Sequence, residues 1–157
     1  MIKIRKFRKE DISEVALLIV NTFKKFNSKE YFKKSAIKEY LNQYDPKKHT
    51  IEELYEKFKK STIFYVATSD NKIIGMIRGR PDRITNLYVD GKYHKRGVGR
   101  LLLTKFEAEA KKLKSKEIKV RSSLYAAPFY EKMGYKKTTG VRNFHGLKIY
   151  PTKKVIN

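Results

Sequence analysis

A short basic stretch with two closely spaced glycines is the part of this 157-residue chain best suited to chemistry. Residues 94–100 read His-Lys-Arg-Gly-Val-Gly-Arg, and they stand between an apolar, β-branched run at 84–89 and an amphipathic segment that predicts a helix. The first N–H groups of a helix have no intrahelical partner, and the helix dipole favours negative charge there. Glycine has no Cβ, so a phosphate can come close to the backbone. The stretch therefore predicts an anion site, although Gly-x-Gly pairs are also common in plain turns.

Two familiar phosphate-binding motifs do not fit this stretch. A Walker loop would require Gly-Lys-Ser/Thr, and a dinucleotide fingerprint would require a third glycine and a later acidic residue. Neither pattern is present. From the residues alone, phosphate binding and a simple turn both remain open.

The composition restricts the classes of protein that are possible. The chain has no cysteine and only three well-separated histidines, which argues against a disulfide scaffold, thiol catalysis and a metal site. It has no apolar run of about 18 residues and no signal peptide pattern, so we expect a cytoplasmic protein without a membrane span. Its length predicts one domain over residues 1–157.

The charge of the chain is strongly basic. The sequence has 38 Lys and Arg residues against 16 Asp and Glu residues, a formal net charge of +22. Such a field attracts polyanions. Because the lysines are scattered over every predicted element, we expect only non-specific binding of nucleic acid.

Hydrophobic periodicity predicts alternating strands and helices. Strands are predicted at 1–7, 63–67, 73–77, 84–89, 118–121, 135–138 and 147–155. Helices are predicted to start after the caps Asp11, Ser28 and Thr50, and to cover 97–113 and 126–133. A three-strand antiparallel meander followed by a helical crossover indicates a mixed sheet with helices on both faces.

A second motif lies one helix and one strand after the basic loop. Residues 123–135 read Ser-Leu-Tyr-Ala-Ala-Pro-Phe-Tyr-Glu-Lys-Met-Gly-Tyr. Together the two motifs resemble those of the GNAT superfamily of N-acetyltransferases, whose patterns are Gln/Arg-x-x-Gly-x-Gly/Ala and Asn-x-x-Ala-x-x-Phe-Tyr-x-x-x-Gly-Phe/Tyr. The resemblance extends from about residue 1 to residue 156. The chain departs from it at two positions, where His94 replaces Gln/Arg and Ser123 replaces Asn.

The resemblance implies a fold and a reaction. The fold is α/β (α+β), with a mixed, mostly antiparallel sheet of about six to seven strands, helices on both faces, and splayed fourth and fifth strands. The reaction is transfer of an acetyl group from acetyl-CoA, used as a co-substrate with no metal, to a primary amine through a tetrahedral intermediate. The alternative is a non-catalytic basic binding module on the same fold, associated with RNA or the ribosome. The protein is expected to be a monomer or homodimer.

The resemblance also implies roles for particular residues. Tyr130 is the candidate general acid that protonates the leaving thiolate. The strand residues Leu87–Val89 would hold the pantetheine arm and present a backbone N–H to the thioester oxygen. The pyrophosphate would lie on the backbone amides of roughly residues 95–100. The full set expected to contact acetyl-CoA is Leu87, Tyr88, Val89, His94, Lys95, Arg96, Gly97, Val98, Gly99, Arg100, Ser123, Ala126 and Tyr130.

The base and the acceptor site are less well defined by the sequence. Asp82 is the carboxylate near the start of the fourth strand and is therefore a candidate base. Other candidates are Glu30, Tyr31 and Asp45, and a route through water is the default. The acceptor is expected between the aromatic-rich segment 26–44 and the loop 143–146 of the last hairpin.

Overall fold

The computed structural model describes all residues from Met1 to Asn157. Its strands are β1 (Ile2–Lys6), β2 (Ile63–Ser69), β3 (Lys72–Arg80), β4 (Arg83–Val89), β5 (Glu117–Ser123), β6 (Lys136–Lys137), β7 (Arg142–Phe144) and β8 (Leu147–Val155). Its helices are α1 (Ile12–Phe26), α2 (Ser35–Tyr44), α3 (Ile51–Phe58), α4 (Val98–Lys112) and α5 (Ala127–Lys132). None of these helices is both long and apolar enough to cross a bilayer.

The strands form one eight-stranded sheet. Its order is β1-β2-β3-β4-β5-β8-β6, with β7 paired to β8. Every pairing is antiparallel except β4 with β5, which are parallel and connected through α4. The predicted mixed α/β fold is confirmed, with one or two strands more than expected.

The sheet carries a hydrophobic core on each face. One core has 16 buried residues and packs α4 against the sheet, with Leu102, Leu103 and Phe106 wholly buried. The other has 13 buried residues and covers the opposite face with α1 and α3, through residues such as Val15, Ile19 and Leu54. Apolar residues at helical spacing bury these faces, and this burial is the main driving force for the fold.

The parallel pair β4–β5 separates soon after it begins. Only Arg83↔Lys119 and Ile84↔Val120 are paired, although β4 continues to Val89 and β5 to Ser123. On its other side, β4 stays paired with β3 as far as Gly75↔Val89. The edge of β4 beyond Ile84 therefore faces an open cleft, and the predicted splay is confirmed.

Two of the three predicted helix caps are wrong. Asp11 does not cap α1, because its carboxylate accepts hydrogen bonds from both terminal nitrogens of Arg5 at 2.8 and 2.9 Å and from the Arg8 amide at 2.8 Å. Ser28 does not begin a helix, and α2 starts at Ser35 and ends at Tyr44. Thr50 caps α3 as predicted, in a reciprocal pair with Glu53.

The segment after α1 pairs with the last hairpin instead of coiling into a helix. The amides of Phe32 and Lys33 donate to the carbonyl of Gly146, and the amide of Lys148 donates to the carbonyl of Glu30. These tertiary bonds replace the intrahelical bonds that the sequence pattern predicted. They also hold Glu30 at the cavity between β4 and β5.

Candidate active site

The basic loop brings six consecutive backbone N–H groups together without partners. The amides of residues 95–100 donate to no backbone or side-chain acceptor in the chain, and the first bond of this region runs from the Leu101 amide to the Gly97 carbonyl. Lys95 and Gly97 have positive φ angles of 62° and 80°. Alternation of left- and right-handed residues turns successive N–H groups towards one point, which is the geometry of an anion-binding nest.

The position of α4 reinforces this nest. The helix begins at Val98, so the free amides stand at the positive end of its dipole. The side chains of Lys95, Arg96 and Arg100 form no ion pair, and these exposed cations add to the positive potential. Gly99 lies against α5, where an added Cβ would be 3.2 Å from the Phe129 ring.

His94 ties this loop to the end of β4 and to the turn that follows β5. Its Nε2 lies 2.7 Å from the carbonyl oxygen of Val89, and its Nδ1 lies 3.2 Å from the hydroxyl of Tyr125. Because a carbonyl only accepts, Nε2 carries the proton, and in the neutral ring Nδ1 accepts from Tyr125. The ring also stacks on Phe26 at 4.5 Å. Although His94 departs from Gln/Arg at this position, its side chain holds the loop against the end of β4.

The cleft between β4 and β5 is a cavity of about 400 Å³. Leu87 and Tyr88 line it from β4, and Ser123, Ala126 and Tyr130 line it from the other side. The hydroxyl of Ser123 accepts from the Ala126 amide at 3.1 Å, so this serine closes the turn that leads into α5. Thus the structure brings five of the predicted site residues together around one cavity.

The Tyr130 hydroxyl is a free polar group in this cavity. The residue is 3% exposed, and its ring packs edge-on against Phe129 and Tyr135 at 5.3 and 5.4 Å. No fully buried side-chain nitrogen or oxygen in the chain lacks a partner, and the Tyr130 hydroxyl bonds to no protein group. It is therefore open to the cavity. Burial, together with nearby Tyr88, raises the pKa of Tyr130, so the phenol keeps its proton at neutral pH.

A buried arginine network forms another wall, which the sequence did not reveal. Arg78 is 5% exposed and donates to Asn86, Ser61 and Tyr44 at 2.7, 3.1 and 2.9 Å. Asn86 donates in turn to the hydroxyl of Tyr40 at 3.1 Å. The one sequence feature that pointed to this network is a cation, Arg78, directly after the apolar run 73–77, at the predicted end of the strand.

The two tyrosines at the end of this network share a short hydrogen bond. The hydroxyls of Tyr40 and Tyr88 are 2.6 Å apart, and both residues line the cavity. Burial raises the pKa of each of them. Both phenols are therefore neutral hydrogen-bonding groups at physiological pH.

The cavity also contains charged side chains of both signs. Its carboxylates are Glu30 and Glu39, and its cations are Arg121 and Lys148. The Glu30 carboxylate accepts from the Tyr125 amide at 2.7 Å and from Asn27 at 3.1 Å. The cavity can therefore contact charged groups of either sign.

Asp82 does not lie in this cavity. It is an exposed residue in the turn between β3 and β4, and its backbone carbonyl accepts from the Lys119 amide. It precedes Leu87 by five residues of extended strand, about 16 Å. The candidate bases Tyr31 and Asp45 do not line the cavity either, whereas Glu30 does.

Comparison with known proteins identifies the family. The model of the acetyltransferase (GNAT) domain matches residues 9–156. The chain belongs to the GNAT acetyltransferase family. No curated protein matches it significantly.

Solved structures of GNAT proteins share the whole fold. The GCN5-related N-acetyltransferase from Rhodopseudomonas palustris is 21% identical, with a TM-score of 0.80 over 98% of this chain and 94% of that one. PaiA N-acetyltransferase from Thermoplasma acidophilum, solved with coenzyme A, is 22% identical, with a TM-score of 0.75 over 99% of both chains. The ribosomal-protein-S18-alanine N-acetyltransferase from Escherichia coli is 16% identical, with a TM-score of 0.66 over 100% of this chain and 95% of that one. At these identities the likeness concerns the fold.

Proposed function

We propose that this GNAT protein transfers the acetyl group of acetyl-CoA to a primary amine by direct attack on the thioester. The observation that carries the proposal is the run of six unpartnered amides at residues 95–100, at the same end of the sheet as the open edge of β4. An anion-binding nest next to an unpaired strand edge fits a long ligand with phosphates at one end and amides along its arm. Coenzyme A has this shape.

The nest and the strand edge bind different parts of acetyl-CoA. The amides of residues 95–100 bind the pyrophosphate, and Lys95, Arg96 and Arg100 add charge around it. The amide groups of the pantetheine arm pair with the edge of β4 at Leu87–Val89. Ser123 and Ala126 contact the arm from the opposite side, and His94 fixes the end of β4 through Val89.

Tyr130 acts on the sulfur. When the amine attacks, negative charge develops first on the thioester oxygen, where a backbone N–H of β4 stabilises it. As the intermediate collapses, the C–S bond breaks and the leaving thiolate takes a proton from the Tyr130 hydroxyl. Burial raises the pKa of Tyr130, so before each turnover the phenol carries the proton that it donates.

The amine reaches the thioester from the side of α2 and the last hairpin. An alkylamine has a pKa near 10 and must lose a proton before it attacks. We infer that Glu30 stabilises the incoming ammonium and that the proton of this ammonium leaves through water in the cavity. The proposal does not use Asp82, because that residue lies outside the cavity.

A cofactor titration combined with a turnover screen tests this function. Acetyl-CoA at millimolar concentration should raise the unfolding temperature, since a ligand that binds the folded state at 100 times its Kd adds about 2.7 kcal/mol of stability. Release of free thiol over a library of primary amines would identify acceptors. No thermal shift and no thiol release from any amine would contradict the proposal.

A further inference from the structure

Arg121 is a cation in the cavity without a partner in the protein. It extends from β5 and lines the acceptor half of the cavity, and its guanidinium carbon lies 4.4 Å from the centre of the Phe144 ring. It forms no hydrogen bond or ion pair with any side chain or carbonyl of the chain. An arginine is always charged and has five N–H donors in a planar fork. This contact is with the Phe144 ring alone, so the N–H donors of Arg121 have no acceptor in the protein.

No carboxylate of the protein neutralises this end of the cavity. Partial burial, together with nearby Arg83, lowers the pKa of Arg121. Lys148 also lines the cavity and forms no ion pair. Of the two carboxylates that line the cavity, Glu30 accepts from the Tyr125 amide and from Asn27, and neither Glu30 nor Glu39 forms an ion pair with Arg121 or Lys148. The guanidinium of Arg121 therefore has no salt-bridge partner within the chain.

The tyrosine pair adds a further donor to the same cavity. Arg78 can only donate, so the Asn86 oxygen accepts from it and the Asn86 nitrogen donates to Tyr40. Tyr40 and Tyr88 then share one hydrogen bond between two hydroxyl protons. One phenolic proton remains without a protein acceptor, and both rings line the cavity. The cavity therefore offers a ligand this hydroxyl proton as well as the guanidinium of Arg121.

We propose that the acceptor is a small amino-carboxylate, whose carboxylate is bound by the Arg121 fork while its amine lies at the thioester. A carboxylate fits better than a phosphate because one planar fork on an aromatic ring offers two parallel N–H groups, with no nest of backbone amides beside it. A cavity of about 400 Å³, shared with the pantetheine arm, has room for a small acceptor. This inference rests on the proposed acetyl transfer and specifies its substrate class.

Matched acid and amide substrates test the inference. The wild-type protein is assayed for thiol release with β-alanine, 4-aminobutyrate, lysine and the corresponding carboxamides. A charge-assisted, bidentate contact should favour the acids by roughly 10- to 100-fold in kcat/KM. Arg121→Gln should remove this preference through a higher KM for the acids and change the amides by less than about threefold.

Two further variants separate the fork from the charge. Arg121→Lys keeps the charge but loses the second donor, and it should give an intermediate preference. Arg142→Gln removes the same charge from exposed β7 outside the cavity, so it should behave as wild type. Because Arg121 is exposed and contacts only the Phe144 ring, its substitution should lower the unfolding temperature only slightly.

Failure of this inference differs from failure of the proposed function. Equal use of acids and amides by the wild type, or equal losses in Arg121→Gln and Arg142→Gln, would overturn the amino-carboxylate assignment and leave acetyl transfer intact. If no turnover is observed, calorimetric titration of the acids into the CoA-saturated protein measures their binding directly. Absence of binding in that titration would also overturn the amino-carboxylate assignment. Lack of acetyl-CoA binding would instead remove the proposed function.

Discussion

Replacing Tyr130 with phenylalanine separates its chemical role from its packing role. The ring is buried against Phe129 and Tyr135, and the substitution preserves it. The hydroxyl has no partner in the protein, so its loss strands no donor or acceptor, and stability should change by less than about 1 kcal/mol. Loss of a general acid should lower kcat by about 10²- to 10⁴-fold, which corresponds to about 2.7–5.4 kcal/mol in the barrier.

Tyr135→Phe is the matched control, because it makes the same change in the neighbouring ring. The Tyr135 hydroxyl donates to the Glu107 carboxylate at 2.7 Å. Its removal should cost about 1–3 kcal/mol of stability and lower the unfolding temperature by roughly 2–4 °C per kcal/mol. Turnover should stay near that of the wild type.

The assay measures thiol release under saturating acetyl-CoA and amine, with the acetyl-CoA Kd from calorimetry and stability from thermal unfolding. Tyr130→Phe should lose turnover and keep its Kd within about threefold, while Tyr135→Phe should lose stability and keep turnover. A Tyr130→Phe protein as active as the wild type would refute the general-acid role. Equal losses of activity and stability in both variants would show that the two hydroxyls serve stability alone.

The remaining predictions concern the loop, the amine, a helix cap and acid stability. Gly97→Ala should cost about 1–2 kcal/mol and weaken acetyl-CoA binding, because φ is +80° there, while Gly140→Ala, in open space, should do neither; calorimetry and thermal unfolding measure both. The kcat should rise with pH as the amine loses its proton, and it should show no decline at any pH up to about 9.5, because burial raises the pKa of Tyr130. A decline in kcat at pH 8 would point to another acid. Thr50→Ala should destabilise by about 0.5–2 kcal/mol in thermal unfolding without affecting turnover, because it removes the cap of α3. Burial alone would raise the pKa of Asp11, but hydrogen bonds from Arg5 and the Arg8 amide lower this pKa. The stabilisation by the Asp11 carboxylate should therefore be complete above the unfolded pKa near 4 and be lost as the pH falls below that value. In urea titrations, Asp11→Asn should be less stable than the wild type at pH 7 and should approach the stability of the wild type below about pH 3.

Local patterns of sequence were sufficient for most of the fold. Runs such as 63–67 and 73–77 alternate with turn residues, and α4 repeats its apolar residues at helical spacing. The period of such a pattern fixes both the element and the face that it buries. The meander, the parallel pair β4–β5 and the helix after the basic loop were predicted for this reason.

The errors occurred where side-chain or tertiary contacts override the local pattern, or where an element is too short to have one. Asp11 has the right residue type for a cap, but two nitrogens of Arg5 bind its carboxylate. Ser28 precedes a helical pattern, but the following residues bond to the last hairpin. Strand β7 was missed because it has only three residues and no periodicity.

The candidate site was predictable to different degrees in its two halves. The donor half consists of contiguous motifs, so its loop and Tyr130 could be identified from spacing. The acceptor half combines Arg78, Asn86 and Tyr40 from three separate elements, and no local pattern indicates that such residues meet. The free cation Arg121 likewise became visible only when its surroundings were known.

A crystal structure of the protein with coenzyme A tests the central claim most directly. The pyrophosphate oxygens should lie about 2.7–3.2 Å from the amide nitrogens of residues 95–100, and the sulfur should lie within about 3.5 Å of the Tyr130 hydroxyl. A pyrophosphate bound elsewhere, or a sulfur separated from Tyr130 by other side chains, would contradict both the donor site and the proposed acid.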